Sequence, residues 1–592
     1  MKIIRDPVYD EYIEIDENIF ENVVDTAAFQ RLRRIRQTSF SSLYHTSTHD
    51  RFSHSLGVYH LGKIATEAIF TSLDNNKLFQ QLFPNGGLGD IKRTVQLACL
   101  FHDIGHAPFS HTGENFYLSI NTNVQKPDPL DVLLVQEVRK SSIDEELTVQ
   151  NEKKKISSKA APHEIMSALL ALKKFPAVID KNQEFFARCI TGYPYEVTPS
   201  DTGKQLLNAL ISVVNSSTID VDKLDYLIRD AYAAGYDAVA IDYRRLLSNM
   251  VICFHGNELK IGFKQNAISA IESVIVAHDF ERKWIHSHPV CVYENFILQQ
   301  AIEEVSKYFL EKSGKKLFSY DSLTEEGQKF NVPVIINGKQ EIMEQNIALL
   351  CDDDIICYIK NKCSDALIKQ LFARNKRMKS FWKSEAEYTT LFDAQGTGIR
   401  QNMSDIFLVL FTLLKSLVDK NQSAYDCQPN SDTAIINGDT VKKLNAKLEE
   451  AKVQLKTTPD IIMEIQVKEA QIEFVEQFIN FLKTWIDSPE VIVIKANMFM
   501  SGFLKEDIGN ILVQFKNKPD PVELNGSISI LTAEKDKKSH VNTYFYIFYD
   551  KRKIKPEKGQ NVTVDELVKF LKNAATTYFN RLNPLRTCVQ QK

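Results

Sequence analysis

Very little in this 592-residue chain marks it as secreted or membrane-bound. Nine cysteines are scattered from Cys99 to Cys588 without a single CxxC pair, which argues against a disulfide framework or a thiolate zinc site. No apolar run approaches the roughly eighteen residues of a membrane span, and no signal-peptide pattern opens the sequence. The expected location is therefore cytoplasmic, with no membrane partner. Neither charge sign dominates: the formal net charge is -4, so nucleic acid meets no global attraction and could be held only by local basic patches.

Histidine is scarce over most of the chain and concentrated in one part of it. Eight of the thirteen histidines lie between His45 and His163, and three more are His278, His286 and His288. Within "LACLFHDIGHAPFSH", Leu97 to His111, a greasy helical run gives way to His102, Asp103, His106 and His111. On a helix, His102 and Asp103 project about 100° apart and His106 lies on nearly the same face as His102. Gly105 and Pro108 break the helix, which lets His111 turn back towards the same place. Further ligands are available from His54 in "RFSHSLGVYHLG" and from the acids of "STIDVDKLDYLIRD". A mixed imidazole and carboxylate shell suits a divalent transition metal (Mn, Fe, Co, Ni or Zn) better than calcium.

The expected fold is mainly α. Residues 1–310 alternate amphipathic runs with short polar breaks and form the expected core, interrupted by a Lys-rich polar insertion at about 124–159 with no clear apolar period. Residues 311–487 are expected to be a mainly helical extension, including "ALIKQLFARNKRMKSFW" and a helical hairpin over about 440–486 broken near "TTPD". In residues 488–592 the runs "VIVIKANMF", "NILVQF", "SISIL" and "TYFYIFY" predict strands, followed by a helix near Val564 to Tyr578, which makes a small α+β region.

The ordered set His54, His102, Asp103 and Asp222 resembles the HD-domain phosphohydrolase superfamily. Five blocks, "RDPVYDEYIEID", "DTAAFQRLRRIRQ", "RFSHSLGV", "FHDIGHAPFSH" and "IDVDKLDYLIRD", resemble more narrowly the deoxynucleoside triphosphate triphosphohydrolases. The likeness covers about the first 305 residues well and is strongest to vertebrate members that add a sterile alpha motif, for which no room is expected here because it begins at residue 2. It implies an HD helical core with His54, His102, Asp103 and Asp222 as metal ligands and release of intact triphosphate from a dNTP. It also implies that Arg51, Lys223 and His163 contact phosphates, with Mg accompanying them. His106 and His111 would stand near the bridging oxygen, His111 as general acid, with Glu114 where the family has an aspartate to orient it.

Tyr226, Asp230 and Gln37 match sugar contacts. His286 and Ser287 stand where the family has a tyrosine and glutamine that exclude a 2′-hydroxyl. Asp25, Gln30 and Arg33 match positions that bind an activating GTP or dNTP between subunits, which implies a homo-oligomer; Arg5 and Thr38 replace an asparagine and a leucine of that site. Two other functions fit the same residues less fully: an HD phosphohydrolase or phosphodiesterase acting on another nucleotide, and a non-catalytic nucleotide- or nucleic-acid-binding protein.

Overall fold

The computed structural model describes residues 1–38, 43–74, 77–83, 87–118, 129–139, 160–236, 240–336, 339–392, 433–454, 459–487, 490–497, 510–524, 543–555 and 564–589. The chain is mainly α-helical and folds as two compact units. One comprises residues 1–285, 294–368 and 500–537; the other comprises 286–293, 369–499 and 538–592.

The first unit is built around the 24-residue helix Arg51–Asp74. Beside it lies Gly87–Phe101, whose Leu88, Ile91, Val95 and Ala98 recur at helical spacing and are all buried. Pro162–Lys174 begins with proline at its first turn and closes that turn with Glu164, whose carboxylate accepts from the Ala161 amide at 2.7 Å. Val221–Ala234 is capped by Asp220, which accepts from the Lys223 amide at 2.7 Å, and stops at Gly235 with φ +71°. Gly105 lets the end of the His102–Asp103 segment touch the Pro162–Lys174 helix. A Cβ there would stand 2.3 Å from the Ser167 amide nitrogen.

Short sheets decorate this helical body. The N-terminal ribbon pairs Lys2–Asp6 with Glu11–Ile15, and a second antiparallel pair joins Met250–His255 to Glu258–Lys264. Leu512–Gln514 returns from far along the chain to lie parallel to Glu258–Lys264. In the second unit, Lys379–Ser380, Thr543–Tyr549, Val491–Asn497 and Thr433–Ile436 form an antiparallel sheet in that order. Tyr544 to Phe548 are buried without alternation, as expected of a strand covered on both faces. The helices Gly438–Gln454 and Pro459–Lys483 pack against each other, with Leu444 and Ile472 buried.

Some expectations fail locally. Residues 311–487, expected to be mainly helical, contain an antiparallel ribbon of Gln328–Ile336 with Lys339–Ile347; β-branched residues and Pro333 outweigh the surrounding helical pattern. The insertion at 124–159 is not uniformly without apolar period. Pro129–Arg139 is a helix that buries Leu130, Leu134, Val135 and Val138, a stripe masked in the sequence by the lysines that follow it. Residues 124–128 and 140–159 of that insertion, and "SISIL", lie outside the described residues.

Gly105→Ala is expected to destabilise the protein by about 1–3 kcal/mol through overpacking against backbone that cannot retreat, measured by urea unfolding. A midpoint equal to wild type would contradict this packing.

Candidate metal and phosphate site

The site is assembled in the first unit at the crossing of three segments. Arg51–Asp74 supplies Arg51 and His54 in its first turn, the end of Gly87–Phe101 leads into His102 and Asp103, and Val221–Ala234 supplies Asp222 in its first turn. His54 Nε2 is 3.1 Å from His102 Nε2, 3.0 Å from an Asp222 oxygen and 3.6 Å from an Asp103 oxygen. His102 Nε2 is 3.5 Å from Asp103 and 3.7 Å from Asp222.

His54, His102 and Asp103 each bring a ligand atom within 4.8 Å of the others, a spacing that suits a common cation, and Asp222 stands beside both imidazoles at the edge of that group. The other ring nitrogens reinforce the fit. His54 Nδ1 donates to Asp225 at 2.7 Å and His102 Nδ1 to the Cys99 carbonyl at 2.9 Å, so both Nε2 lone pairs are turned towards each other and need positive charge between them. Burial opposes charging His54, yet Asp222 and Asp225 raise its pKa to about 9, and the same negative field favours a metal ion in place of that proton. Asp103, fully buried, is held below the usual carboxylate range by Arg51 and both imidazoles, and Asp222, whose side chain is 37% exposed, by the two histidines.

A second cluster adjoins the first. His106 is stacked on His163 with ring centroids 4.2 Å apart, His111 meets both edge-on, and His106 Nε2 is 3.8 Å from Asp103. Glu114 bridges the pair, taking His111 Nδ1 at 3.0 Å on one oxygen and His163 Nδ1 on the other. Burial lowers the basicity of His163, but Glu114 more than compensates and its pKa rises to about 9. Burial and the nearby cations Arg51 and His163 push that of His106 well down. His106 is thus a fully buried neutral ring with no hydrogen-bond partner at either nitrogen, while His111 is 65% exposed at its side chain and open to a ligand.

The turn between the clusters is strained. Phe109 and Ser110 have φ of +59° and +54°, conformations that cost about 1–3 kcal/mol each for such residues and persist only where surroundings enforce them. Here Asp352 accepts from the Phe109 amide at 2.7 Å and the Arg36 amide at 3.0 Å, while Ser110 Oγ accepts from Arg51 Nε at 3.0 Å. Arg51 also grips Asp103 at 2.7 Å, and buried Arg31 donates to the carbonyls of Ile104, His106 and Leu350.

The other expected residues fall in different surroundings. Lys223 Nζ is held by Asp220 and the Ser216 carbonyl at 2.5 and 2.6 Å. Asp222, Tyr226 and Asp230 share one helix face at four-residue spacing. Asp230 is bonded to His49 Nε2 at 2.6 Å and lies against buried Glu281, whose pKa rises well above normal through burial and the Asp230 charge. Gln37 is buried with its side-chain oxygen unpartnered, and its carbonyl accepts from Arg51 at 3.4 Å. Gln30 and Arg33 are joined at 2.8 Å, Arg33 stacks on Phe52, and Asp25 is exposed nearby in sequence. Arg5 pairs with Asp10 at 2.6 Å; His286 belongs to the second unit.

Sequence reading missed His49, Asp225, Arg229 and Asp352. The first stood in the histidine-rich region, and the Asp225–Arg229 pair at four-residue spacing on an apolar face was a usable signal.

Residues 51–168 match the HD domain family. Among curated relatives, an uncharacterized protein of Mycoplasma genitalium is 29% identical over 292 residues, 48% of this chain and 55% of the relative. The deoxynucleoside triphosphate triphosphohydrolase SAMHD1 of Homo sapiens is 24% identical over 390 residues, 63% of this chain and 54% of the relative. The Gallus gallus protein of the same name is 24% identical over 332 residues, 56% and 50%. The chain thus spans about half the length of the curated relatives it matches. A crystal structure of a hypothetical protein from Aquifex aeolicus aligns over 97% of this chain and 99% of its own, at 15% identity and a TM-score of 0.49. Among the described residues no helix is long and apolar enough to cross a membrane. Two histidines and two carboxylates thus converge in the order H, HD, D, three of them within the stretch that matches the HD domain family, and the chain is similar to deoxynucleoside triphosphate triphosphohydrolases.

Proposed function

We propose that the protein is a metal-dependent hydrolase that splits deoxynucleoside triphosphates into nucleoside and inorganic triphosphate. The observation that carries this reading is the contact of two clusters: a four-ligand metal set and, 3.8 Å from it through His106 and Asp103, a Glu114-bridged histidine pair. The similarity to SAMHD1 supports the choice of substrate.

His54, His102, Asp103 and Asp222 would hold the ion, which supplies Lewis-acid polarisation of the reacting phosphate and its water when bound. Mn, Fe, Co, Ni and Zn all suit these donors, with Mg accompanying the triphosphate. Arg51 fixes Asp103 and brings positive charge to the phosphates, and His163, kept cationic by Glu114, adds a second positive charge. His111 is the general acid: Glu114 takes its Nδ1 proton as a hydrogen bond, which aims Nε2 outwards to protonate the departing oxygen. Neutral His106 offers an uncommitted ring nitrogen to the bridging oxygen. Lys223 completes the phosphate contacts by leaving its Asp220 pair. Tyr226 and Asp230, one and two turns beyond Asp222, receive the sugar, with Gln37 at its other hydroxyl. Asp25, Gln30 and Arg33 form an activator site for GTP or a dNTP between copies of the chain. A soluble cytoplasmic enzyme fits this substrate.

The test is incubation of pure protein with each dNTP and NTP, singly and mixed, in Mn or Mg, with products resolved by ion exchange. Nucleoside plus intact triphosphate is expected; turnover to diphosphate or monophosphate would overturn the reading. His102→Gln is expected to lose metal and turnover while keeping its helical circular dichroism. The His102→Ala, Asp103→Ala pair is expected to lose both and also about 3–5 kcal/mol of stability, because Arg51 is left buried without its carboxylate.

Glu114→Gln and His111→Asn are each expected to lower kcat by about 10²–10⁴ with metal content unchanged. The Glu114–His163 pair also sets a pH dependence. Because the folded pKa of His163 lies above its unfolded value, the stability it contributes is complete below pH about 6.5 and is lost as pH rises through about 9. Thermal melts of His163→Gln should lack this alkaline decline; an unchanged profile would contradict the pairing.

A further inference from the structure

Behind His54, on the side away from the other ligands, lies a buried polar chain that the proposed chemistry does not use. His54 Nδ1 donates to Asp225 Oδ2 at 2.7 Å. Arg229 donates to both oxygens of Asp225, Nε at 2.8 Å and NH2 at 2.9 Å, and the Tyr9 hydroxyl donates to Oδ1. Arg229 NH2 reaches on to Asp6 Oδ2 at 2.8 Å, and Asp6 Oδ1 accepts from the Val8 amide at 2.9 Å. Asp225 is 0% exposed, Arg229 3%, Asp6 6% and Tyr9 6%, so every member works in a setting where an unmade hydrogen bond is costly.

Two features show that this is a built arrangement. Gly57 sits three residues after His54 on the same helix, and a Cβ there would fall 1.8 Å from Asp225 Oδ1 and 2.3 Å from Arg229 NH2. The absence of a side chain at Gly57 is what admits the carboxylate behind the imidazole. Second, Asp6 and Tyr9 come from the end of one strand and the turn of the N-terminal ribbon, so the chain has closed a contact across 216 positions to finish the surroundings of one histidine.

We propose that Asp225, clamped by Arg229 and by Asp6 and Tyr9 of the N-terminal ribbon, is the positioning residue of His54, so that retention of the metal depends on the docking of that ribbon. A carboxylate on Nδ1 fixes the tautomer, turns the Nε2 lone pair into the site and raises its basicity. Asp6 and Asp225 together outnumber the one guanidinium between them, leaving negative charge next to the ring. The ribbon therefore acts on the site through the ligand, without touching substrate. This inference rests on the metal reading of His54, His102, Asp103 and Asp222, and on nothing about the substrate.

The experiment compares full-length wild type, Asp225→Asn, Tyr9→Phe, His102→Gln and the ribbon control Tyr12→Phe, each stripped with chelator and titrated with Co²⁺ while the visible ligand-field band and the bound metal are measured. Tyr12 is 56% exposed on the same ribbon and outside the chain of hydrogen bonds to His54. Asp225→Asn is expected to weaken Co²⁺ binding about 10- to 100-fold and shift the band. Tyr9→Phe is expected to weaken it roughly 2- to 10-fold and to melt below wild type when metal-free, while keeping its helical circular dichroism. Tyr12→Phe should bind as wild type does. If Asp225→Asn fails to fold, Tyr9→Phe decides, since it removes one hydroxyl from an otherwise unaltered ring. Binding by Tyr9→Phe and any folded Asp225→Asn as tight as wild type, with His102→Gln impaired, would overturn the inference and leave the metal site standing. Wild type binding no better than His102→Gln would overturn the metal site itself, and this inference with it.

Discussion

Two buried imidazoles face each other, Nε2 to Nε2, at 3.1 Å, and much of the first unit serves to make that arrangement tolerable. Each ring is prevented from turning away because its other nitrogen is committed, one to a carboxylate and one to a helical carbonyl. Positive charge must therefore sit between them, and Asp103 and Asp222 are there to balance it. Those carboxylates in turn need partners when buried, which accounts for the Arg51–Asp103 pair at 2.7 Å. A metal site in a helical core is in this sense a small number of compulsory pairings, each one creating the need for the next.

The same logic extends from the ligands to the turn that follows them. Phe109 and Ser110 adopt backbone conformations that the chain would not choose, and three distant groups hold them there. Asp352 binds the Phe109 amide from 243 positions away, Arg51 binds Ser110 while holding Asp103, and Arg31 ties the carbonyls of Ile104 and His106 to that of Leu350. The two histidine clusters consequently cannot move independently: Arg51 belongs to the metal side by charge and to the turn by hydrogen bonding. His111 gains a defined direction from Glu114 while its outer nitrogen remains accessible. Such coupling suits the proposed phosphate chemistry, in which displacement by an ångström would weaken both metal geometry and proton delivery.

The sequence was most legible where chemistry and periodicity coincide. His54, His102, Asp103 and Asp222 could be named because their residue types, order and blocks are unusual, and the helices around them carry clear apolar stripes. Legibility failed where a local pattern was ambiguous. The ribbon of Gln328–Ile336 with Lys339–Ile347 was read as helix because short apolar runs do not distinguish the two periods. Pro129–Arg139 was hidden by the lysines after it, although Leu130, Leu134 and Val138 have helical spacing. Asp225 was passed over for Asp222 as a ligand, and its separate task became visible only with Arg229, Tyr9 and Asp6 around it.

By itself, the sequence determined the mainly helical character, because that depends on composition and on spacing within single helices, and its resemblance to HD-domain phosphohydrolases offered His54, His102, Asp103 and an acid of "DVDKLD" as candidate donors. Only the tertiary structure decided which acid of "DVDKLD" faces the imidazoles and which stands behind one of them: Asp222 the first, Asp225 the second, Asp220 the helix cap. It also decided that Asp230 meets His49 and that a strained turn would be pinned by Asp352. The physical reason is that these roles depend on which segments pack together across hundreds of residues, and a buried carboxylate takes its function from the donors that packing delivers to it.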